Sequence, residues 1–193
     1  PISRPSHTYD ERNVPVGAHG DKGSWQVLKR MMEGKPVIIQ GDGTTLWTVT
    51  FNTDFAKAFI GLMGNIHAIG ESYHITSDES VTWNQIYRII ADELGVPFKP
   101  YYVPSDFLDK AGKYDFEGGL IGDKANTVVF DNSKVKRAVP DFVCTIRADQ
   151  GLRKTVRHML ATPELQADDP EFDAWCDKVI AAMEKAKEDI LNG

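Results

Sequence analysis

The chain has 193 residues, is 41% apolar and 26% charged, and carries a formal charge of -6; this is the composition of an ordinary folded domain and excludes a wholly disordered chain. No apolar run approaches the ~18 residues of a membrane span, and no basic segment leads into an apolar one, so neither a spanning helix nor a secretion signal is expected. Two cysteines, Cys144 and Cys176, are too few for a disulfide framework or a thiolate metal cage and point to a reducing compartment, most simply the cytoplasm.

The charge is uneven. Residues 162–193 hold nine acids and three bases, and the remaining chain balances at nineteen of each. The absence of a basic stripe and the acidic tail both speak against a nucleic-acid partner. The opening Pro1-Ile2-Ser3-Arg4-Pro5 reads like the end of a strand whose body is missing, so a fragment of a longer polypeptide is expected.

In chain order, residues 8–23 are polar, rich in glycine and proline, and read as a long loop. Ser24 then caps a helix in which Trp25, Leu28, Met31 and Met32 recur at helical spacing and which Gly34 stops. Val37, Ile38 and Ile39 form a short buried strand closed by the turn sequence Gly41-Asp42-Gly43. Residues 46–51, rich in Thr and Val, read as a second strand. Asn52 or Thr53 opens the next helix, with Phe55, Ala56, Phe59, Ile60 and Met63 as its apolar face. After a strand over 72–76, Thr82 with Gln85 three residues on makes a capping-box pattern. The helix behind it carries Trp83, Ile86, Ile89, Ile90 and Leu94, and Gly95 ends it. There follow a strand over 101–103, a short helix over 104–111, a glycine-rich loop over 113–124, a strand over 127–130 and a short helix over 132–138. Residues 145–160 are helical. A last helix sets Phe172, Trp175, Val179, Met183, Ala186 and Ile190 on one stripe, a face for docking on its own domain or on a partner subunit. Alternating strands and helices argue an α/β fold, although the strands are too few and short for a complete doubly wound sheet.

Gly17, Gly20 and Gly23 match G-x-x-G-x-x-G, with Asp42 at the end of the following strand, the outline of a dinucleotide fingerprint. That motif needs a buried strand directly before its first glycine, so that phosphates meet the helix N-terminus. Residues 9–16 are polar and broken by proline, so a flexible surface loop is expected instead. The histidines His7, His19, His67, His74 and His158 show no paired spacing, and no metal site is expected. No serine stands in G-x-S-x-G. Trp47, mid-strand among threonines, suits a core or a pocket wall equally.

Taken in order, several segments resemble the C-terminal half of the extended short-chain dehydrogenase/reductases, the NAD-dependent epimerase/dehydratase family. Arg4-Pro5-Ser6-His7-Thr8-Tyr9 is similar to its R-P-x-x-x-Y-G loop. Residues 34–43, GKPVIIQGDG, are similar to its G-x-P-x-x-x-x-G-D-G hairpin, and Asn52-Thr53-Asp54-Phe55-Ala56 to its V-x-D-V-A helix start. Tyr73-His74-Ile75-Thr76-Ser77, Val81-Thr82-Trp83 and residues 90–95 follow at the family's spacing. So do Gly122-Asp123, Asp131-Asn132-Ser133-Lys134-Val135-Lys136 and Gly151-Leu152. The match runs from about Ile2 to Leu160. None of the six tyrosines has Lys four residues on, so the family's catalytic Tyr-x-x-x-Lys is absent, as is its Rossmann fingerprint.

The resemblance implies an α/β fold made of the C-terminal part of an extended short-chain dehydrogenase. Residues 1–161 would be the edge of a Rossmann sheet plus a small mixed α/β substrate-binding domain, and residues 162–193 an acidic C-terminal amphipathic helix. It implies the substrate-binding portion of an NAD(P)-dependent epimerase, dehydratase or oxidoreductase acting on a sugar or another hydroxy or carbonyl compound, catalytically incomplete alone. NAD or NADP would be bound mainly by the missing half. Pro5 and Ser6 would border the cofactor and His7 the substrate; a fixed-φ proline beside a hydroxyl and an imidazole suits such a wall. Ser24 and Trp25 at a helix start would face a diphosphate, Ile38 and Gln40 would cradle a nucleobase, and Trp47 and Asp123 would stand at the substrate. Two departures matter. Trp47 replaces the family's hairpin arginine, and Leu120 and Ile121 stand where another arginine usually precedes Gly122. Neither can clamp a pyrophosphate, so a less anionic substrate is expected: a small carbonyl or hydroxy compound, or a sugar without a diphosphate. The rival reading is a non-catalytic metabolite- or RNA-binding module on the same fold. Uncovered apolar surface and unpaired strand edges would favour a homodimer.

Overall fold

Short runs of β-branched and aromatic residues form strands that pair two by two in the computed structural model, which describes the whole chain, Pro1–Gly193. β1 (Ile2–Pro5) lies parallel to β6 (Ser72–Ile75), β2 (His7–Tyr9) to β5 (Val49–Phe51), and β3 (Val37–Gln40) to β8 (Pro100–Val103). β4 (Leu46–Trp47) and β7 (Val81–Thr82) are antiparallel. Parallel pairs need crossovers, and α1 (Trp25–Met32), α2 (Asn52–Leu62) and α3 (Trp83–Leu94) lie within them. The segment expected as one strand over 46–51 breaks at Thr48, because its halves serve different sheets. Thr48 is buried, its hydroxyl 3.3 Å from that of Ser80 and its carbonyl accepting the His7 N–H.

Two cores result. The larger lies among α1, α3, α6 (Ala148–Ala161) and the first half of α7 (Pro170–Asn192), with Trp83, Ile86, Tyr87, Ile90, Leu152 and Val156 sealed from solvent. The capping box forms as expected: Thr82 Oγ1 accepts the Gln85 N–H at 3.1 Å and Gln85 Oε1 accepts the Thr82 N–H at 2.8 Å. Gly95, at φ +70°, closes α3 in the left-handed region. The smaller core gathers Ala58, Leu62, Tyr73, Ile75, Val135 and Phe142 around the β1–β6 pair, between α2 and α5 (Ser133–Ala138). α4 (Ser105–Lys110) completes the set.

Four expectations need correction. On α2 the buried residues are Asp54, Ala58 and Leu62, whereas Phe59, Ile60 and Met63 are 44%, 64% and 65% exposed. The inner face is small and carries a bonded carboxylate, and the larger apolar face turns outward beside exposed Ile66 and Ile69. Residues 127–130 form no strand; Val128 N–H donates to the Leu46 carbonyl. The loop over 113–124 winds at its end into a π-helix, Glu117–Lys124, in which Lys124 Nζ donates to the Gly119 carbonyl at 2.9 Å. The glycine-rich loop is not a flexible surface segment: residues 14–18 are buried, and the Gly17 N–H donates to the Tyr87 hydroxyl at 3.1 Å.

α7 docks on its own chain. Phe172, Trp175, Cys176 and Val179 enter the larger core, while Ile190 and Leu191 overhang in solvent. The acids of the tail meet bases of the body: Asp168 with Lys29, Glu171 with Lys113, and Asp173 and Asp177 with Arg30 and Lys35.

α6 approaches β2 and β5 through Gly151, where a Cβ would overlap the Tyr9 hydroxyl and lie 3.1 Å from the Phe51 ring. Both rings are buried and cannot swing aside. Gly151→Ala is therefore expected to cost about 1–3 kcal/mol in chemical denaturation, with part of the loss recovered by adding Tyr9→Phe, which removes the overlapping oxygen. A neutral Gly151→Ala would show that α6 can shift away freely.

Candidate functional site

β2 begins directly after a bend at Ser6, and this places Pro5, Ser6, His7 and Thr8 in one wall of a cleft of about 350 Å³. Trp47, Asp123 and Phe130 complete its lining. Five of the nine residues expected at the site thus come together. A second cleft of about 340 Å³ shares His7 and Thr8 and continues past Asp10, Arg12, Asn13 and Asn52. Two larger cavities, of about 580 Å³ between the end of α4 and α7 and about 510 Å³ beside α2, are mainly apolar and hold no such convergence of polar groups.

Trp47 is both core and pocket wall. It is 3% exposed, stacks on Trp83 with centroids 6.1 Å apart, and meets the Phe130 ring nearly perpendicularly at 6.4 Å. Phe130 in turn lies 5.3 Å from the His74 ring. The Trp83 N–H donates to the Lys124 carbonyl, but the Trp47 N–H has no acceptor. Ser6 Oγ and Thr8 Oγ1 are likewise buried without partners, as is Asn52 Oδ1 in the adjoining cleft. Buried polar groups are ordinarily satisfied, but these three, on residues that line one cleft, have no partner within the protein. His7 is pushed down to about 4, chiefly by burial and further by the Lys124 and His19 charges, so its imidazole is neutral near pH 7. Asp123 is half exposed, with its carboxylate 3.4 Å from Lys124 Nζ.

The remaining expected residues lie elsewhere. Ser24 is fully buried: its N–H and hydroxyl both donate to Asn13 Oδ1, at 2.9 and 2.6 Å, and its oxygen accepts the Val14 N–H. Trp25 is in the larger core. The Ser24 N–H at the start of α1 is thus taken by Asn13. Ile38 and Gln40 are inside β3, 4% and 1% exposed; the Gln40 amide lies over Gly17 with neither atom partnered. Thr8, Phe130 and Lys124 were missed. Thr8 carried a signal as the next polar residue beyond His7, but the π-helix that delivers Lys124 had none in the glycine-rich sequence.

No family model matches the chain. A 2'-dehydrokanamycin reductase of Streptomyces kanamyceticus is 29% identical over a region covering 54% of this chain and 33% of that protein. An epimerase of Methanothermobacter thermautotrophicus superposes with a TM-score of 0.65 at 20% identity, over 85% of this chain and 44% of the other. A Thermotoga maritima UDP-glucose 4-epimerase with UDP-glucose gives 0.62 at 22% identity, over 84% and 46%. A Bacillus cereus UDP-glucuronic acid 4-epimerase with UDP-glucuronic acid and NAD gives 0.61 at 18%, over 83% and 45%. The fold is that of the C-terminal part of the extended short-chain dehydrogenases, as the motif order implied. The chain spans about a third of the curated relative's length and under half of each solved structure's. No helix is long and apolar enough to cross a membrane.

Proposed function

We propose that this chain is the substrate-binding portion of an NAD(P)-dependent epimerase, dehydratase or reductase that acts on a sugar or another hydroxy or carbonyl compound. The observation that carries the reading is the cleft itself. On a fold otherwise seen in such enzymes, it gathers Ser6 and Thr8, whose hydroxyls have no partner within the protein, a neutral imidazole, and the aromatic residues Trp47 and Phe130 around one cleft. Pro5 and Ser6 fit one edge of a nicotinamide: a rigid ring face beside a hydroxyl with no internal partner. The cofactor would supply the hydride acceptor or donor, and Ser6 and His7 would hold and orient the reacting group beside it.

The rest of the catalytic set is not in these residues, which contain no Tyr-x-x-x-Lys. The β1–β6 pair supports a shared task. Two parallel strands rarely stand alone, because parallel sheets are covered on both faces, and here β1 has one partner only while Ile2, Ile66 and Ile69 are 58%, 73% and 71% exposed beside it. In this reading that edge joins a dinucleotide-binding half.

The test is product analysis together with dinucleotide absorbance during incubation with NAD(P) or NAD(P)H and a panel of hydroxy and keto sugars; a reductase changes the absorbance, whereas an epimerase or dehydratase returns the cofactor unchanged and is read by its product. A polypeptide containing both halves is expected to convert a sugar, and residues 1–193 alone are not. Conversion by residues 1–193 would overturn the division of labour; neither product nor absorbance change with the two halves together would overturn the chemistry.

A further inference from the structure

We propose that the chain pairs with a second copy of itself through α7. The two helices run antiparallel about a twofold axis, and the overhanging end of each lies along the groove between α4 and α7 of the other. This pairing does not depend on the chemistry proposed above.

The groove is open along one side of α7. It holds about 580 Å³ above the nearly covered Trp175 and Val179, and the exposed Phe107, Ala174, Ala182 and Lys178 stand along it. The same helix carries a cover of the right kind. Every residue from 185 to 193 is exposed, Ile190 at 81%, although the helix runs on to Asn192. Two turns of helix with nothing beneath them have little stability of their own. Each copy thus has an apolar groove at one end of α7 and an unsupported apolar end at the other.

The spacing joins the two. Asp189 stands eleven residues beyond Lys178, and Ile190 eleven beyond Val179. Eleven residues are three helical turns, so both fall on the line of the groove. With the helix direction reversed in a second copy, Asp189 comes opposite Lys178 and Ile190 comes over the groove. The twofold axis then repeats both contacts. Ala182 and Ala186 fall near the crossing, where small side chains let helix axes approach. An overlap of residues 174–192 spans about 30 Å of helix, a modest interface filled according to concentration.

Charge favours a second copy as the occupant. The other acids of α7 that line its contacts already have partners: Glu171 has Lys113, Asp173 and Asp177 have Arg30 and Lys35, and Glu184 has Lys187 and the Tyr101 hydroxyl. Lys178 and Asp189 enter no ion pair within the chain, and both are exposed. An unrelated helix would need its own acid at the place facing Lys178. A second copy brings one at the required spacing, twice.

The experiment is sedimentation equilibrium of the intact protein over a range of concentrations. A monomer–dimer equilibrium is expected. Ile190→Asp should weaken it at least about tenfold, because the side chain is lost from both halves of the interface. Ile190 is exposed in a single copy, so the variant should keep the wild-type unfolding curve at low concentration. Lys178→Glu and Asp189→Lys should each weaken the dimer several-fold, and the double variant should recover most of the loss, since the reversed charges meet again across the axis. Ile66→Asp, on the exposed apolar side of α2, should change nothing. A monomer at every concentration would overturn the proposal. So would a dimer that survives Ile190→Asp or yields to Ile66→Asp, and so would charge reversals whose losses add in the double variant.

Discussion

Asp54→Ala is expected to lower folding stability by about 3 kcal/mol, read as the shift in a urea midpoint at constant slope. Asp54 is 1% exposed in the first turn of α2. Its Oδ2 accepts the N–H groups of Thr145 and Ile146 at 3.0 and 2.8 Å, and its Oδ1 accepts the Thr145 hydroxyl at 3.1 Å and Lys57 Nζ at 2.6 Å. One carboxylate therefore fastens α2 to the segment leading into α6, across the junction of the two cores. Alanine would leave the part-buried Thr145 and Ile146 N–H groups without this acceptor and the Lys57 ammonium without its carboxylate. Asn is expected to recover less than half, because its NH₂ would face donors.

The same site fixes a pH dependence. Burial alone would raise the Asp54 pKa, but the Lys57 ammonium and the amide donors outweigh it and hold the group below the ordinary carboxylate value. As pH falls, the unfolded chain takes up the proton first. The stabilisation is then complete above roughly pH 5 and drains away below about pH 4. The stability gap between wild type and Asp54→Ala should narrow toward acid; a gap unchanged from about pH 7 to about pH 3 would mean the carboxylate is not what the amides see.

What could be read in advance, and what could not, follows from which interactions are local. The Thr82–Gln85 cap, the Gly95 stop and the wholly apolar Val37-Ile38-Ile39 run are determined within a few residues, and each formed as expected. The apolar face of α2 was misassigned because periodicity marks a face that avoids water, not what covers it. Phe59, Ile60 and Met63 stay 44%, 64% and 65% exposed, Phe59 stacking only on its helix neighbour Phe55, while the true inner face includes Asp54, whose partners lie some ninety residues on. The site shows the same division. Pro5 to His7 are contiguous and their convergence with Trp47 was legible through the resemblance, yet Phe130 arrives from an irregular segment and Lys124 from a π-helix, both placed by tertiary contacts. Ser24 stands at the N-cap of α1 as its sequence position signals, but its side chain makes no capping bond: its oxygen accepts from Val14 and its hydrogen goes to Asn13, ten and eleven residues earlier.

The second large effect is expected at Arg30, whose replacement by Met should release α7 without unfolding the body. The guanidinium is 1% exposed and every face of it is bonded. Nη1 donates to the Asp173 carboxylate at 2.6 Å and its carbonyl at 3.0 Å, Nη2 to Asp177 at 2.8 Å, and Nε and Nη2 to the Pro36 carbonyl at 3.2 and 3.0 Å. Removing one partner of a buried pair costs about 3–5 kcal/mol. The bereft carboxylates, Asp173 at 20% and Asp177 at 52% exposed, regain water most readily if the helix swings out. Cys176 reports that motion. It is 1% exposed on the docked face, and burial pushes its thiol up to about 12, so it is unreactive while α7 is seated. In a Cys144→Ser background, Arg30→Met should speed labelling of Cys176 by about a hundredfold, the kinetic image of some 3 kcal/mol of easier opening. Arg30→Lys should fall between, because it keeps the charge but lacks the fork that serves Asp173, Asp177 and Pro36 together. Labelling that rises only in step with global unfolding would make α7 part of one cooperative unit with the body. Labelling that does not change would mean that the apolar contacts of Phe172, Trp175 and Val179 hold the helix alone, and that the charge seam merely sets its register.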